Sequence, residues 1–427
     1  MSIVILVGGL ILLLLLGVPV AFSLLLSSMT LILYRGTTPI IVIAQRMSNA
    51  LDNFPLLAIP LFILAAEIMN SSGATEKIFN LAKAMVGHLT GGLAHVNVLA
   101  SMLFSGMSGS AVADASGLGM IEIKAMSDDG YSLPFSAAVT AASSTIGPII
   151  PPSVPMVVYG VVSGTSIGAL FIAGAAPGVI MGLAMMIVIY FIAKNREINI
   201  KRDRISSSKF IKILLDSLPS MFLPVIILGG IWGGIFSPTE AAAVAVVYSL
   251  LLGIFIHKEI KIKEIPSIFL TAGYSTATIM LIVAAANLYG WLISIEQIPQ
   301  IVQQGLLSVS QNPIIVMFLI NIILLIMGMF MELIAIITIA VPVFLPLVTN
   351  LGIDPVFFGV IAVLNLMIGL LTPPFGLNIF IMQRVTGVPF WDIIKEAVPF
   401  IFILIGTLIL LVLFPQIVMF LPNLMLG

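Results

Sequence analysis

The chain has no cysteine, three histidines and only 8% charged residues among 427. The missing cysteine removes disulfides, thiolate metal sites and cysteine nucleophiles together. Ordinary globular domains carry about 25% charged residues. With 60% of its residues hydrophobic, this chain cannot present a water-facing surface and reads as an all-α polytopic membrane protein. A net charge of −1 lacks the basic footprint that a nucleic-acid partner needs. His88, His95 and His257 fall outside every predicted core span, so no Ser-His pair or metal-ligand set of a membrane-embedded enzyme is visible. The first apolar run, Ile3 to Leu16, lacks the basic start and small-residue cleavage site of a signal peptide and is expected to stay as a span.

What is present is a stretch that occurs twice. Ile146-Gly147-Pro148-Ile149-Ile150-Pro151-Pro152 returns as Ile368-Gly369-Leu370-Leu371-Thr372-Pro373-Pro374, and 369 − 147 and 373 − 151 both give 222. At the same offset Gly106-Met107 meets Gly328-Met329, Gly130 meets Gly352, and Phe135 meets Phe357. Two related halves with helix breakers inside apolar segments point to a secondary transporter whose site lies where the breaks converge.

A crossing needs about 20 apolar residues. Spans are predicted at 2–17, 18–34, 44–70, 133–162, 168–193, 219–236, 238–256, 268–293, 356–382 and 397–421. Segments 95–125 and 313–348 carry polar or small residues at mid-length and are expected to be re-entrant helical hairpins. Lys194, Arg196, Lys201, Arg202, Arg204, Lys209 and Lys212 crowd one loop, and His257, Lys258, Lys261 and Lys263 another, which makes both cytoplasmic. The stretch 294–312 holds no Lys or Arg and is expected to be a periplasmic loop. Five crossings per half put both termini outside and make the two repeats inverted. Arg35 and Arg46 fall on the outer side in this count, and 36–53 is a candidate interfacial segment.

Backbone groups freed by a helix break cannot face lipid and must line a wet or protein-walled site. Four breaks are predicted. Two are hairpin tips, Ser105 to Ser110 and Gly328 to Glu332. The others are the interruptions Ile146 to Pro152 and Ile368 to Pro374. Hard cations take oxygen ligands, and Ser-rich tips with unwound carbonyls offer them. Asp114, one turn after Ser110, either supports the tip or binds a cation, with support favoured. Glu332 matches Ser110 in the other half and is either a helix-start acid or a cation ligand. Glu240 after Ser237-Pro238-Thr239 reads as an N-cap turn. Ser108, Ser110, Pro152, Asn365, Pro374 and Asn378 are the candidate solute contacts. Arg46 and Arg384 read as interfacial anchors rather than carboxylate clamps. Glu67 carries no clear signal.

Several segments together resemble one family: Asn53 to Phe62, Gly91-Gly92-Leu93-Ala94, Ser108 to Asp114, Gly147 to Ser153, Ser237 to Glu240, and Thr372-Pro373-Pro374. The resemblance is to the DctM-like large membrane subunit of the tripartite ATP-independent periplasmic (TRAP) transporters, of the ion-transporter superfamily, and covers nearly the whole chain. It implies a bacterial inner-membrane carrier, driven by Na⁺, that takes up organic acids such as sialic acid or C4-dicarboxylates. It implies partnership with a small four-helix membrane subunit, expected as a separate chain, and a periplasmic solute-binding protein. It implies an elevator, with scaffold at 1–94 and 163–312, including a cytoplasmic loop at 194–218 and the second half starting near 219. The transport elements would be 95–162 and 313–383, followed by a C-terminal helix at 384–427. Na⁺ sites are implied between each tip and its broken helix, at Ser105, Ser108, Ser110 and Gly147 and at Gly328, Gly369 and Thr372, with Glu332 a further candidate. A stand-alone Na⁺/carboxylate symporter is the alternative. A passive channel fits less well because internal inverted repeats suit carriers.

Overall fold

In lipid, a chain must satisfy its backbone hydrogen bonds within itself, which leaves helices as the spanning element for a sequence this uniformly apolar. The computed structural model describes residues 1–196 and 205–426; Lys201, Arg202 and Arg204 of the basic loop lie outside the described residues. Among the described residues there is no strand, and eight helices are long and apolar enough to cross a bilayer. Large apolar side chains stand outward on the long helices, such as Ile187, Phe191 and Phe402. An exposed apolar belt of that extent is stable only against lipid.

The N-terminal part holds α1 (Gly9–Leu15), α2 (Val20–Arg35), α3 (Ile41–Leu51), α4 (Ala58–Ser71) and α5 (Ala74–Val86). The single span expected over 44–70 is therefore two pieces. The break falls at Asn53, which is extended at φ −134 and ψ 116, and the chain restarts at Phe54 as a 3-10 turn with Pro55 in its first turn, where the missing N–H costs nothing. The segment α3 buries none of its residues, as an interfacial helix should. Arg46 lies over the Trp291 ring at 4.6 Å, and Arg35 pairs with Glu296 at 3.2 Å. The amphipathic α5 was not anticipated: its pattern is a helix, but its charges kept it below the threshold for a span.

Next come α6 (Gly92–Ser108), α7 (Ala111–Ser116) and α8 (Leu118–Asp128), then α9 (Leu133–Ser143) and α10 (Val154–Ser163). The first three form the hairpin expected at 95–125, and the last two the broken span expected at 133–162. The long α11 (Ile167–Asn195) is followed by α12 (Ser207–Trp232), so 207–218 belong to a helix rather than to the loop expected at 194–218. Two spans follow, α13 (Pro238–Leu251), continued as a π turn to Ile256, and α14 (Ile265–Ile295). The helix α15 (Ile298–Val309) occupies the region expected to be a loop at 294–312; it is amphipathic, with Pro299 in its first turn.

The second hairpin pairs α16 (Pro313–Phe330) with α17 (Leu333–Asn350), each long and apolar enough to cross a bilayer. The second broken span is α18 (Pro355–Gly369) and α19 (Leu377–Thr386). The chain ends in α20 (Phe390–Leu413) and α21 (Pro415–Leu426), not in one helix over 384–427, because Pro415 cannot donate the hydrogen bond that would continue α20. One group packs α4 on α13 and α14, with α2 and α3 also on α14. The hairpins pack on their own broken spans, α6 on α9 and α16 on α18, and α11 and α20 pack on these elements.

Candidate functional site

Each hairpin tip is built by a helix stop and a capped restart. At the first, Gly109 ends α6 with φ +57, a left-handed conformation that glycine adopts without strain. Extended Ser110 then caps α7, its Oγ accepting from the Ala113 N–H at 3.3 Å. At the second, Glu332 caps α17, one carboxylate oxygen accepting from Ile334 N–H at 3.0 Å and Ala335 N–H at 3.3 Å. Ser110 and Glu332 stand at the repeat offset and do the same local job with different side chains. The carboxylate of Asp114, expected to support Ser110, does not bond to it; both its oxygens are buried without a hydrogen-bond partner among the described residues.

The broken spans are interrupted in parallel fashion. Pro151-Pro152 and Pro373-Pro374 are both joined by cis peptide bonds. Among the described residues no N–H reaches the carbonyls of Gly147, Ile149, Pro151 and Pro152 in the first break, or those of Leu371, Thr372, Pro373 and Pro374 in the second. Where they are buried, as in the first break, such groups need a polar partner, since a buried amide without one costs several kcal/mol. The tips press against the breaks. A methyl group placed on Gly109 would collide with the Pro152 carbonyl oxygen, and one on Gly369 would lie 2.8 Å from the Gly328 backbone.

Polar seams hold each hairpin to its broken span. In the first half, Asn97 bonds Thr140 at 2.7 Å and accepts from Ser143 at 2.6 Å, while Ser101 donates to Ser143 at 3.1 Å. In the second, Asn365 donates to the Asn321 carbonyl at 2.8 Å and to its side chain at 2.6 Å. Ser143 and Asn365 also stand 365 − 143 = 222 apart. Asn378 links the two halves, reaching the Ala141 carbonyl at 3.3 Å and Ser144 Oγ at 3.0 Å. Asn365 and Asn378 are thus fully buried in these seams, away from the cavity wall where solute contacts were expected.

Both tips and both breaks meet at one cavity of about 470 Å³, within the range of small-molecule sites. The first residues of four helices stand in its wall: Ala111 of α7, Val154 of α10, Leu333 of α17 and Leu377 of α19. Ser108 and Ser110 line it, and Ser108 Oγ is buried with no hydrogen-bond partner among the described residues. Glu67 of α4 and Ser275 and Thr278 of α14 also line it. No described Lys, Arg or His lines the cavity.

The remaining sequence candidates fall close by. Ser105 is buried one turn below the tip and donates to the Ser101 carbonyl at 2.5 Å. Gly147 packs against the Ser110 backbone, and Gly328 against Gly369. Thr372 donates back to the Ile368 carbonyl at 2.8 Å. Pro152 is buried behind Gly109, whereas Pro374 is exposed. Glu240 forms the expected capping box with Ser237. Sequence reading missed Glu67, Ser275 and Thr278: each sits on an unbroken helix, where nothing but the fold reveals which side faces the cavity.

Comparison with known proteins places this geometry. The family model for the DctM component of the tripartite ATP-independent periplasmic transporters matches residues 7–417. The sialic acid TRAP transporter large permease SiaM of Vibrio cholerae is 46% identical over 411 residues, covering 96% of each chain. The C4-dicarboxylate TRAP transporter large permease DctM of Pseudomonas aeruginosa is 40% identical over 381 residues, covering 89% of each. Among solved structures, the Alcanivorax borkumensis YdaH transporter, described as having an unusual topology, superposes with a TM-score of 0.65 at 14% identity, over 92% of this chain and 90% of that one, a likeness of fold alone. The chain is a multi-pass membrane transporter subunit and not an enzyme, and it belongs to the DctM component family of the tripartite ATP-independent periplasmic transporters.

Proposed function

We propose that this chain is the large permease subunit of a bacterial inner-membrane system that takes up an organic acid together with Na⁺, by an elevator motion. Its partners would be a small four-helix membrane subunit and a periplasmic protein that delivers the solute. The observation that supports this most is the convergence of four helix N-termini on a cavity lined by no cationic side chain. A helix N-terminus carries roughly half a positive charge and favours an anion, although the Ala113, Met156, Ile334 and Ala335 N–H groups are already taken by the Ser110, Ser153 and Glu332 side chains. An anion held by N–H groups alone still loses its hydration. Co-bound Na⁺ offsets that charge and contributes about 2.3 kcal/mol per charge for each 100 mV crossed.

Na⁺ would enter as a second substrate, between each tip and its break. Ser108 Oγ and the unbonded break carbonyls are neutral oxygen donors of the type a hard cation takes. In this reading Na⁺ draws Ser108 to Ser110 toward Gly147 to Pro152, and Gly328 to Glu332 toward Gly369 to Thr372. That completes the anion seat. The mobile body would be the two hairpins and their broken spans, with α11 and α20 riding on them; α2, α3, α4, α13 and α14 would stay fixed. The two halves would be inverted repeats, which lets one cavity open to either side in turn.

Orientation follows the positive charges. Lys194 and Arg196 end α11, and Arg196 pairs with Glu396 near the start of α20 at 2.8 Å. With that end cytoplasmic, the 24-residue α20 would run outward and put the C-terminus outside, as the span count does for the N-terminus. Relatives named for sialic acid and C4-dicarboxylates motivate the solute class. Proteoliposomes holding the permease with its small subunit, supplied with the binding protein and labelled solute, test the proposal. Accumulation is expected only with an inward Na⁺ gradient; equal accumulation in K⁺ on both sides would end it.

A further inference from the structure

Asn378 is bonded to both broken spans at once. Its backbone N–H donates to the Leu370 carbonyl at 3.1 Å, across the second break. Its side-chain amide donates to the Ala141 carbonyl at 3.3 Å and to the Ser144 hydroxyl at 3.0 Å, where the first break begins. Ser144 is tied into that break in turn. Its hydroxyl donates to the Ala141 carbonyl at 2.9 Å, and its own carbonyl accepts from the Gly147 N–H at 3.2 Å. Asn378 and Ser144 are fully buried, so an amide pulled away from these acceptors would leave polar groups unsatisfied, a costly state. A continuous run of hydrogen bonds therefore joins Leu370 in one break to Gly147 in the other through a single side chain.

The helix that carries Asn378 reinforces the link. It restarts after Gly376, whose φ of +55 closes the second break with a left-handed turn, and it packs against both α7 of the first tip and α9 of the first broken span. The repeat alone does not account for the bridge: the matching position in the first half, 378 − 222 = 156, is Met156, which has no side-chain N–H. From this geometry we infer that Asn378 is a positioning residue that couples the two tip-and-break sites, so that filling one favours filling the other. The inference rests on the Na⁺ reading above and adds how its two sites communicate. In that reading Na⁺ draws Gly369 to Thr372 toward Gly328, and the Leu370 carbonyl moves with them. Asn378 follows through its N–H and carries Ala141 and Ser144, which sets Gly147 against the Ser110 backbone it packs on. Coupling of this kind is a free energy shared equally by both sites, and its physical carrier is an element whose arrangement both sites bias. A domain holding one ion is then disfavoured relative to the empty and the fully loaded ones.

The test is the steepness of Na⁺-induced thermal stabilisation of the purified complex of permease and small subunit, titrated with NaCl against KCl at constant ionic strength. The wild type is expected to give a Hill coefficient approaching about 2, the number of coupled sites. Asn378→Ala removes both side-chain bonds and is expected to bring the coefficient down to about 1, with the half-saturating Na⁺ concentration raised several-fold. Ser144→Ala removes only the hydroxyl acceptor and should fall between the two. The double variant should be no flatter than Asn378→Ala, because both substitutions act through one bond. A merely structural defect would lower the melting temperature and leave the steepness of the titration unaltered. A wild-type coefficient of about 1, or an Asn378→Ala curve as steep as the wild type, overturns the coupling and leaves Na⁺-driven uptake intact. Should Asn378→Ala fail to assemble, a Ser144→Ala curve of wild-type steepness overturns it alone. No stabilisation of the wild type by Na⁺ overturns the ion reading and this inference with it.

Discussion

Ser108 and Ser110 look equivalent in the sequence, two hydroxyls flanking a glycine, but their bonds separate their work. Ser110 Oγ is committed to the Ala113 N–H, so Ser110→Ala removes a helix cap, a loss of about 1 kcal/mol, and is expected to lower the melting temperature measurably. Ser108 Oγ has no partner among the described residues, so Ser108→Ala removes no internal bond and is expected to leave the melting temperature close to that of the wild type. Its effect should fall on the ion instead, as a several-fold increase in the Na⁺ concentration giving half-maximal uptake. Uptake of Ser108→Ala with wild-type Na⁺ dependence would take this hydroxyl out of the ion site.

At the level of elements, the meeting of Gly328 and Gly369 makes a sharper prediction because the contact is backbone against backbone. A methyl on Gly369 would sit 2.8 Å from two Gly328 backbone atoms, whereas one on Gly328 would have 3.3 Å to its nearest neighbour, the Gly369 Cα. Gly369→Ala must therefore push the second tip away from its break, while Gly328→Ala needs only a few tenths of an ångström. Initial rates of solute uptake, normalised to reconstituted protein, are expected to fall at least tenfold for Gly369→Ala and clearly less for Gly328→Ala; the reverse order would refute this packing. These glycines were legible beforehand because a break repeated at a fixed offset is a pattern in the chain itself. So were the paired helices at 95–125 and 313–348 and the two interrupted helices that follow them. Other elements were hidden for physical reasons. The amphipathic helices α5 and α15 are too polar to register as spans. The split between α20 and α21 rests on a single proline within an apolar run. Asn365 and Asn378 were correctly seen to flank the second break, but whether an asparagine there faces a solute or a neighbouring helix depends on helix rotation, which one sequence does not specify. Glu67 was passed over for the same reason.

For the whole molecule the question is whether the tips and breaks travel past α4 and α14. The packing allows a direct trial, because α10 lies against α4 and both Val154 of α10 and Ala66 of α4 line the cavity. The absence of cysteine means that thiols placed at these two positions have no background, and neither substitution introduces a charge into an apolar wall. If α10 belongs to a moving body and α4 to a fixed one, a short bifunctional thiol reagent joining Ala66→Cys to Val154→Cys should stop uptake. Each single variant treated identically should keep most of its activity. A cleavable form of the reagent should return the double variant to its starting rate after reduction. A domain that crosses several ångströms of membrane cannot do so while tethered by one short link, since interfaces between packed helices switch between discrete arrangements rather than stretch. Full uptake by a double variant whose cross-linking is verified by mass spectrometry would mean that α10 and α4 move together, and the solute would then have to reach the cytoplasm by local opening around the two tips.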